Sequence, residues 1–592
     1  MSENPTAPGL PGDDEPGRRR IGVYICHCGG NISDYVDVAR VRAAIADDPD
    51  VMVAETTLFA CADGQQHTMV HDIQNQHLDG LVVASCSPKL HTTTFRGVSR
   101  RADLNPYAYT QVNIREQDSW AHTDDHEGAT ERAIALVKAG IAKTRLSTPL
   151  SPLRVETVPA TMVVGGGVTG LRTAIGLADI GLSVIVVERE AELGGWLGRL
   201  GPTFPHDTPG RDQIAGLVAQ IAQRPTITVL TDAELVGKTG SFGNYTAKVH
   251  VRGETTDELR QFQVGTFVIA TGADVYSPEV GELGYGIDGV VTLHEFGTLV
   301  DEATGGALTW HGRRVRSIAY VYCVGNRQAE GNAYCSKFCC AATVHASIKV
   351  SKVDPSIRQF HLHRDVRAYG RYELLYTESR ERGSVYLRYP DDAPPAIEQS
   401  ADGRLAVTLV DALTGPDELT IPVDLVVLVT GMVPRQNEAL TSLLKLPTGD
   451  DGFYNEIHPK LRPVETVVDG VMIAGACQGP KPANEAVSGG LAAVTQSAGI
   501  LKRGFAELDP LVATVNEAAC TGCGECLTTC PYDAISAYPC DTGQKALVSA
   551  ANCKGCGGCV PVCPEDAIDL LGYTSAQMLA AIDGLADREP VA

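Results

Sequence analysis

The feature that most constrains this chain is a cysteine pattern that occurs twice, between residues 520 and 564. Each copy has the form C-x2-C-x2-C-x3-C-P, a spacing that suits a loop wrapped around a [4Fe–4S] cube. In this pattern the fourth cysteine of each run ligates the other cube, so the two runs must fold together. The sequence therefore predicts one cube on Cys520, Cys523, Cys526 and Cys563, and a second on Cys553, Cys556, Cys559 and Cys530.

A pair of zinc sites is the alternative for these cysteines. Zinc needs only two C-x2-C halves per ion and has no use for the C-x3-C-P segments. Residues 510–572 are therefore predicted to be a two-cluster domain of the bacterial ferredoxin type, followed by a helix and tail at 573–592. Cys540 lies outside both runs and is expected to be a buried thiol.

Composition and charge limit the remaining possibilities. The 592 residues include 18 cysteines and carry a formal charge of −23. Such a charge argues against binding to nucleic acid or to an anionic membrane surface. Residues 1–20 are predicted to be a disordered tail, and no signal peptide or apolar run long enough to span a membrane is found. We therefore expect a cytoplasmic protein, in which clustered cysteines usually hold metals.

Two alternating patterns of strands and helices precede the cysteine-rich domain. Residues 21–146 are predicted to form an α/β domain with a mostly parallel sheet. Residues 147–158 form a Pro-bearing linker, and a second α/β pattern occupies 159–505. The predicted fold class is α/β throughout these two regions.

A dinucleotide-binding motif opens the second α/β region. A strand from Met162 runs into G-x-G-x-x-G at 165–170, a helix follows, and a second strand ends at Glu188. The glycines allow a tight turn and close approach of the backbone to a pyrophosphate, and the acid is placed to bind a ribose. FAD is favoured over NAD because three later segments resemble those of flavoproteins of the glutathione and thioredoxin reductase kind. The predicted FAD-binding residues are Gly165, Gly167, Val168, Thr169, Gly170, Glu188, Arg189, Gly194, Gly195, Ala270, Thr271, Gly272, Gly475 and Ala476.

Two departures from those flavoproteins are visible in the sequence. The Asp that usually follows the last glycine segment is replaced by Ala476-Cys477. A second G-x-G-x-x-G for NAD(P)H is expected after the strand at 317–322, but the turn there is Cys323-Val324-Gly325-Asn326-Arg327. Without the phosphate-binding glycines, we expect single electrons from clusters rather than hydride from a nicotinamide.

Four further cysteines fall within 18 residues: Cys323, Cys335, Cys339 and Cys340. Redox-active or buried thiols are one interpretation, and ligands of another [4Fe–4S] cube are the second. The segments 322–325, 331–336, 339–340 and 475–481 resemble the A-type subunit of heterodisulfide reductase, as do 26–32 and 86–91. This resemblance runs from about residue 21 to 568 and implies an FAD- and [4Fe–4S]-bearing electron-transfer subunit, with a cluster on these four cysteines beside the flavin.

The resemblance also implies a cluster in the N-terminal domain. Its candidate ligands are Cys26, Cys28, Cys61 and Cys86, whose spacing alone would not establish a site. Where the family has a cysteine, this chain has Asp118. If that cysteine is a ligand in the family, the cluster here is altered, bound through Asp118, or absent.

Two other differences from the family concern the flavin. The methanogen members carry a ferredoxin insert, whereas residues 196–320 here contain no cysteine. The family tends to place a Lys close to the flavin where this chain has His345, the candidate catalytic residue. Because His titrates near about 6.5, its charge would stabilise a flavin anion only conditionally. The resemblance therefore gives less support to electron bifurcation in this chain than in the insert-bearing members. The alternative to a role at the flavin is that His345 is an ordinary histidine on a helix face.

The sequence thus predicts an FAD and iron–sulfur oxidoreductase that passes electrons between ferredoxin-type clusters and partner subunits acting on a disulfide or thiol. The resemblance further implies a complex containing two copies of this chain and a redox protein as donor or acceptor. The competing enzyme hypothesis is a self-contained NAD(P)H oxidoreductase resembling the small subunit of glutamate synthase. A zinc-stapled scaffold without catalysis is the third.

Overall fold

The computed structural model describes residues 18–204, 207–253, 256–303, 307–400, 403–541 and 543–586. Most of the predicted tail at 1–20, and the last six residues of the segment 573–592, lie outside these ranges. The chain divides into two compact units: residues 18–154 together with 507–586, and residues 155–506. The domain boundaries inferred from the sequence stay predictions.

The N-terminal part of the first unit is built on a four-stranded parallel sheet, as the alternating pattern predicts. The strand order is Val51–Thr57, Ile21–Cys26, Gly80–Ser85, Tyr109–Asn113. Helices at Val38–Ile45, Asp63–Asn75, Pro88–Arg101 and His126–Arg145 connect and flank the strands. The strands Ile21–Cys26 and Gly80–Ser85 are buried along their whole length, which is typical of a parallel sheet covered on both faces.

The ferredoxin-like part of the first unit is small. It contains the strand pairs Ala513–Val515 with Ile568–Leu570 and Ile535–Cys540 with Gly543–Val548, and the short helix Glu525–Thr529. The last helix, Ser575–Ala586, packs on His126–Arg145, where Gly584 lies so close to Ala139 that a Cβ would be 3.0 Å from its Cα. Cys540 is partly exposed, so the prediction that it is buried was wrong. The reason is its place at the end of the strand, beside the hairpin turn.

The second unit contains the same arrangement twice. Its first half has a five-stranded parallel sheet in the order Ile227–Leu230, Ser183–Val187, Ala160–Val164, Thr266–Ile269, Val471–Ile473. The helices Val168–Asp179, Gly210–Ala222 and Ala483–Leu501 accompany it. An antiparallel sheet of Ala233–Ser241, Asn244–Val251 and Glu258–Val264 completes this half.

The second half has a five-stranded parallel sheet in the order Val290–Thr292, Leu425–Thr430, Ser317–Val324, Arg358–His363, Val385–Arg388. Its helices are Leu293–Glu302, Cys339–Val353 and Glu373–Glu381. Its antiparallel sheet comprises Ala396–Gln399, Leu405–Val410 and Glu418–Val423. The predicted α/β class with two dinucleotide-binding-type halves is confirmed.

The segment predicted to be a linker, 147–158, contains a short strand, Leu153–Glu156. Its alternating exposure is too brief to stand out in the sequence. Among the described residues, no helix is long and apolar enough to cross a bilayer.

Candidate functional site

The first glycine turn has the geometry of a phosphate cradle. It joins the strand Ala160–Val164 to the helix Val168–Asp179. Gly165 has a φ of +114°, and a Cβ on Gly170 would lie 1.9 Å from the Gly165 carbonyl oxygen. A Cβ on Gly167, in contrast, would meet nothing within 4 Å. The helix therefore packs directly against the turn at Gly170, while the turn has free space at Gly167. A bound pyrophosphate requires both features.

Glu188 lies beside this cradle, at the end of the strand Ser183–Val187. Its carboxylate is buried and accepts hydrogen bonds from the backbone N–H groups of Gly166, at 2.6 Å, and Glu190, at 3.0 Å. A cavity of about 750 Å³ borders this strand end, lined among others by Arg189, Asp232 and Arg252. The carboxylate is thus fixed at the edge of the cradle, where the sequence predicts a ribose contact.

The other predicted FAD-binding segments converge on the same turn. The Gly194 N–H donates to the Gly166 carbonyl at 2.8 Å, and a Cβ on Gly195 would lie 3.4 Å from the Gly167 Cα. A Cβ added to Gly165 would lie 2.3 Å from the Ala270 carbonyl oxygen, and a Cβ added to Gly475 would lie 2.6 Å from Thr169 Oγ1. These segments therefore approach the turn closely. All four glycine-containing segments therefore surround one cradle.

Two buried polar atoms in the predicted FAD-binding segments, or directly after one, have no hydrogen-bond partner among the described residues: Thr271 Oγ1, and Trp196 Nε1 of the residue that follows Gly195. Buried polar atoms are almost always satisfied, so such atoms fit a polar group that binds there. Trp196 was not predicted from the sequence, although its position directly after Gly195 could have indicated it. In the Ala476-Cys477 pair that stands in place of the usual Asp, Cys477 is buried and donates to the carbonyls of Ile269 and Ala474. Burial raises the pKa of the Cys477 thiol, so it does not replace the carboxylate.

The second turn differs from the first at the first two glycine positions: one glycine is replaced, and the other is covered by a side chain. It follows the strand Ser317–Val324, and Cys323 occupies the first position with a φ of +64°. Gly325 occupies the second, where a Cβ would lie 2.0 Å from the ring of Tyr276. That ring fills the space that is open at Gly167. The sequence contains no signal that would have identified Tyr276.

Cys323, Cys335, Cys339 and Cys340 are close together beside this turn. The pKa of the Cys339 thiol is raised by its hydrogen bond with Cys340 and by burial, and Cys323 and Cys335 are near enough to raise it further. Cys339 and Cys340 begin the helix Cys339–Val353, whose N-terminus favours negative charge. Arg327 donates to Cys323 Sγ at 3.8 Å. This is a suitable environment for an anionic thiolate cluster.

The structure brings the ferredoxin-type thiols together in two groups of four. Burial raises the pKa of Cys526, and the thiols that add to this rise are Cys523, Cys520 and Cys563. Burial likewise raises the pKa of Cys559 to about 11, with further contributions from Cys553, Cys556 and Cys530. Backbone N–H groups of Ala513, Ala534 and Ala567 donate to Cys553, Cys530 and Cys563 at 3.4, 3.4 and 3.2 Å. Such N–H donors suit the negative sulfur atoms of a cluster.

The four N-terminal thiols also lie near one another, although they come from three separate segments of the chain. Burial raises the pKa of Cys26, with Cys28 and Cys61 adding to the rise. Burial raises the pKa of Cys86 to about 11, and Cys28 and Cys26 are among the contributing neighbours. Arg115 Nη1 donates to Cys28 Sγ at 3.1 Å. Asp118 is fully buried and lies 3.9 Å from Arg132 Nε.

Within the described ranges, no three or more His, Cys, Asp or Glu side chains are arranged to hold a single metal ion. A single zinc ion draws its thiolates to about 2.3 Å. A [4Fe–4S] cube binds each thiolate through a different iron and therefore spaces the sulfur atoms more widely.

His345 is buried on the helix Cys339–Val353 and its Nε2 lies 2.6 Å from Asp207 Oδ1. The ring of Phe204 is 6.5 Å away, centroid to centroid. Burial lowers the pKa of His345, and the neighbouring Asp207 partly offsets this. The orientation of the imidazole is therefore fixed by its contact with a carboxylate.

Comparison with known proteins agrees with these two kinds of site. Residues 159–326 match the model of the pyridine nucleotide-disulphide oxidoreductase family, and residues 513–570 match the 4Fe-4S dicluster domain. The chain is thus an oxidoreductase that combines a flavoprotein core with an iron–sulfur domain.

The individual relatives identify the family. The chain is 34% identical to the second A-type iron–sulfur subunit of the CoB–CoM heterodisulfide reductase of Methanopyrus kandleri, over 88% of this chain and 91% of the relative. It is 33% identical to the A-type subunit of the H₂:CoB–CoM heterodisulfide,ferredoxin reductase of Methanothermobacter thermautotrophicus, over 87% and 90%. The chain belongs to the family of A-type subunits of heterodisulfide reductase.

A solved structure of Lactococcus lactis thioredoxin reductase covers 58% of this chain and 100% of its own, with 16% identity and a TM-score of 0.40. A score at this level adds no argument to the family assignment.

Proposed function

We propose that this chain is the electron-transfer subunit of a heterodisulfide-reductase-like complex, passing electrons between its ferredoxin-type clusters, an FAD and partner subunits. The partners would reduce or oxidise a disulfide or thiol substrate. One observation carries the proposal. The same chain contains a glycine turn with free space for a phosphate and cysteine thiols that lie together in groups of four. A bound flavin would supply the exchange between two-electron and one-electron transfer, and the clusters would supply one-electron steps.

The residues proposed to hold the FAD act through their backbone and through one carboxylate. The open face at Gly167 and the N-terminus of the helix Val168–Asp179 would bind the pyrophosphate. Glu188, already fixed by two backbone N–H groups, would accept hydrogen bonds from the ribose hydroxyls. The unpartnered Thr271 hydroxyl and Trp196 N–H are available for further polar contacts.

The thiol sets are proposed to hold four [4Fe–4S] clusters: two in the ferredoxin-like part, one beside the flavin site and one in the N-terminal domain. Each set contains four cysteines, which is the number that one cube requires. Cys26, Cys28, Cys61 and Cys86 complete the N-terminal set without Asp118, which lies 3.9 Å from Arg132.

The names of the relatives support the choice of partner class. The Methanothermobacter protein is named for H₂, the CoB–CoM heterodisulfide and ferredoxin. For this chain we propose a donor or acceptor of the iron–sulfur type and a partner that acts on a disulfide, with two copies of this chain in the complex. His345 is held by Asp207, and burial lowers its pKa, so it provides no fixed positive charge at neutral pH. The proposal therefore does not require electron bifurcation.

The test is anaerobic purification of the tagged chain from its native host, followed by identification of the co-purifying subunits and by flavin, iron and sulfide analysis. We expect about one FAD and about sixteen iron atoms per chain, since each cube contains four. A heterodisulfide or a related disulfide should oxidise the reduced complex, as seen in the flavin and cluster absorbance. Purification without flavin, or with zinc in place of iron, would refute the proposal.

A further inference from the structure

Two of the four thiol sets have an arginine in contact with a cysteine sulfur. In the N-terminal domain, Arg115 Nη1 donates to Cys28 Sγ at 3.1 Å. Beside the second turn, Arg327 Nη1 donates to Cys323 Sγ at 3.8 Å. In the ferredoxin-like part, cysteine sulfur atoms accept from backbone N–H groups, which are neutral. A guanidinium carries a full positive charge, so its contact with a thiolate is stronger than that of a backbone amide.

Arg115 is held in place by its neighbours. It begins a π-helical turn, a kind of turn that is rare and frequently found at functional sites. Its Nη2 pairs with Glu116 Oε1 at 2.7 Å, and the other oxygen of Glu116 accepts from the Ser87 N–H at 2.8 Å. The guanidinium also lies over the ring of Trp120, with Cζ 4.6 Å from the ring centroid. Because the side chain is only 15% exposed, these contacts fix it against Cys28.

One donor of this guanidinium is unused. Arg115 Nε is buried and has no hydrogen-bond partner in the part of the chain that the structure describes. Buried N–H groups are almost always satisfied, so an unused one beside Cys28 fits an acceptor that binds there. The thiolates and inorganic sulfides of a [4Fe–4S] cube are acceptors of this kind.

Arg327 has the same arrangement in the unit 155–506. It follows Cys323 by four residues, and its side chain is 16% exposed. It forms an ion pair with Asp365, which also accepts from Arg367 Nε at 3.4 Å. Arg364 donates to the backbone carbonyl of Arg327. An arginine, a carboxylate that fixes it and a cysteine sulfur are therefore found together at both thiol sets.

Such an arginine affects the electron affinity of a cluster. The reduction potential of a [4Fe–4S] cube depends on its net charge, on hydrogen bonds to its sulfur atoms and on its solvent exposure. Reduction adds one negative charge, so a nearby guanidinium stabilises the reduced cube more than the oxidised one. Burial raises the pKa of Cys86 to about 11, and Arg115 opposes this rise more strongly than Glu116 adds to it. The carboxylate thus orients the arginine without cancelling its charge.

We propose that Arg115 and Arg327 raise the midpoint potentials of the N-terminal cluster and of the cluster beside the flavin site. Both are positioning residues, not ligands. The inference rests on the proposed function, since it requires a cube on each of the two thiol sets. Each cube gains one electron from a one-electron donor of the ferredoxin type, which is oxidised, and the arginine exchanges neither a proton nor a bond. The raised potentials favour electron transfer towards these two cubes.

The experiment is a redox titration of the reconstituted full-length chain, followed by electron paramagnetic resonance. The signals of the two cubes are those that the C28S and C340S variants lack. In R115Q the reduction equilibrium of the N-terminal cube should become at least tenfold less favourable, a fall in midpoint potential of about 59 mV for one electron. R327Q should lower the potential of the other cube in the same way. Iron content should be unchanged, because neither arginine is a ligand.

Three comparisons serve as controls. R115K and R327K keep the positive charge and should retain most of the wild-type potential. Each Gln variant should leave the other cube unshifted, so the two variants control for one another. R100Q, which changes an exposed arginine of the N-terminal domain, should leave both potentials at the wild-type value.

An unchanged potential in R115Q or R327Q would overturn the inference for that cube while leaving the cluster in place. If a Gln variant fails to bind its cube, the Lys variant decides. A tenfold or larger loss in the Lys variant would then exclude the charge as the cause, and a retained potential would support it. Absence of both signals in the wild type would instead refute the two proposed clusters, and with them the inference.

Discussion

The two halves of residues 155–506 have the same architecture, but their equivalent turns differ: the first has free space for a ligand, and the second is filled by a side chain. In the first half, Gly167 is open and Gly170 allows the helix to approach the Gly165 carbonyl. In the second half, Cys323 stands at the first glycine position and the Tyr276 ring covers Gly325. One turn can accept a dinucleotide phosphate, and the other is filled by an aromatic ring and flanked by four cysteines.

This difference shows that the fold alone does not determine function. The same strand–turn–helix unit binds phosphate only when backbone N–H groups are exposed above small residues. Replacing those residues converts the second unit from a nicotinamide site into a candidate cluster site. Four experiments test the contrast.

The largest effect is expected from closing the first turn. In G170A the new Cβ would lie 1.9 Å from the Gly165 carbonyl oxygen, so the helix must move away from the strand. We expect at least a tenfold loss of FAD affinity and a stability loss of about 1–3 kcal/mol. Flavin absorbance per chain and thermal unfolding measure the two effects. G216A is the control, since its Cβ would meet nothing within 4 Å, and full flavin content in G170A would contradict the cradle.

The next effect concerns the cysteines of the second turn. C340S should lose one cube, a decrease of about four iron atoms per chain, while retaining FAD. Iron and flavin analysis of the same preparation separates the two cofactors. C477A serves as the control because Cys477 is bound to two backbone carbonyls and belongs to no thiol set. An unchanged iron content in C340S would count against the cluster beside the flavin site.

A pH-dependent effect on stability, with no change in cofactor content, is expected from a buried histidine of the second half. His361 is stacked between Tyr320 and Tyr386, with ring centroids 4.6 and 4.3 Å away. Burial lowers its pKa from 6.5 to about 3, so below about pH 6.5 the unfolded chain binds a proton that the folded chain does not. Stability should therefore fall as pH decreases from about 6.5 towards 3, by at most about 5 kcal/mol from this residue.

Urea unfolding at several pH values measures this dependence. H361Q should be less stable than the wild type at pH 8 but should lose less stability on acidification. H71Q, at an exposed histidine, should follow the wild type. Parallel pH profiles for H361Q and the wild type would exclude His361 as the source.

The smallest expected effect is the response to nicotinamides. NADH and NADPH should leave the flavin of the isolated chain oxidised, because Cys323 replaces the first glycine of the second turn and the Tyr276 ring fills the space at Gly325. Dithionite is the positive control and should bleach it. Rapid bleaching by NADPH would favour the self-contained NAD(P)H oxidoreductase over the proposed electron-transfer subunit.

Much of the fold and part of the candidate site are determined by local sequence. The regions predicted to be α/β, 21–146 and 159–505, contain the parallel sheets that the sequence pattern predicts, because apolar periodicity and glycine turns act over a few residues. The crossed assignment of Cys530 and Cys563 also follows from spacing, since short loops leave the thiols few alternatives. The family was recognisable from motifs of the same kind.

Only the tertiary structure brings together residues that are distant in the chain. It places the ring of Tyr276 on Gly325, and it gathers Cys26, Cys61 and Cys86 from three separate segments. It also buries Asp118 at 3.9 Å from Arg132. These facts depend on which side chain occupies a given space after the sheets and helices have packed. Sequence spacing describes the chain over one turn or loop, whereas packing is decided by contacts across the whole unit.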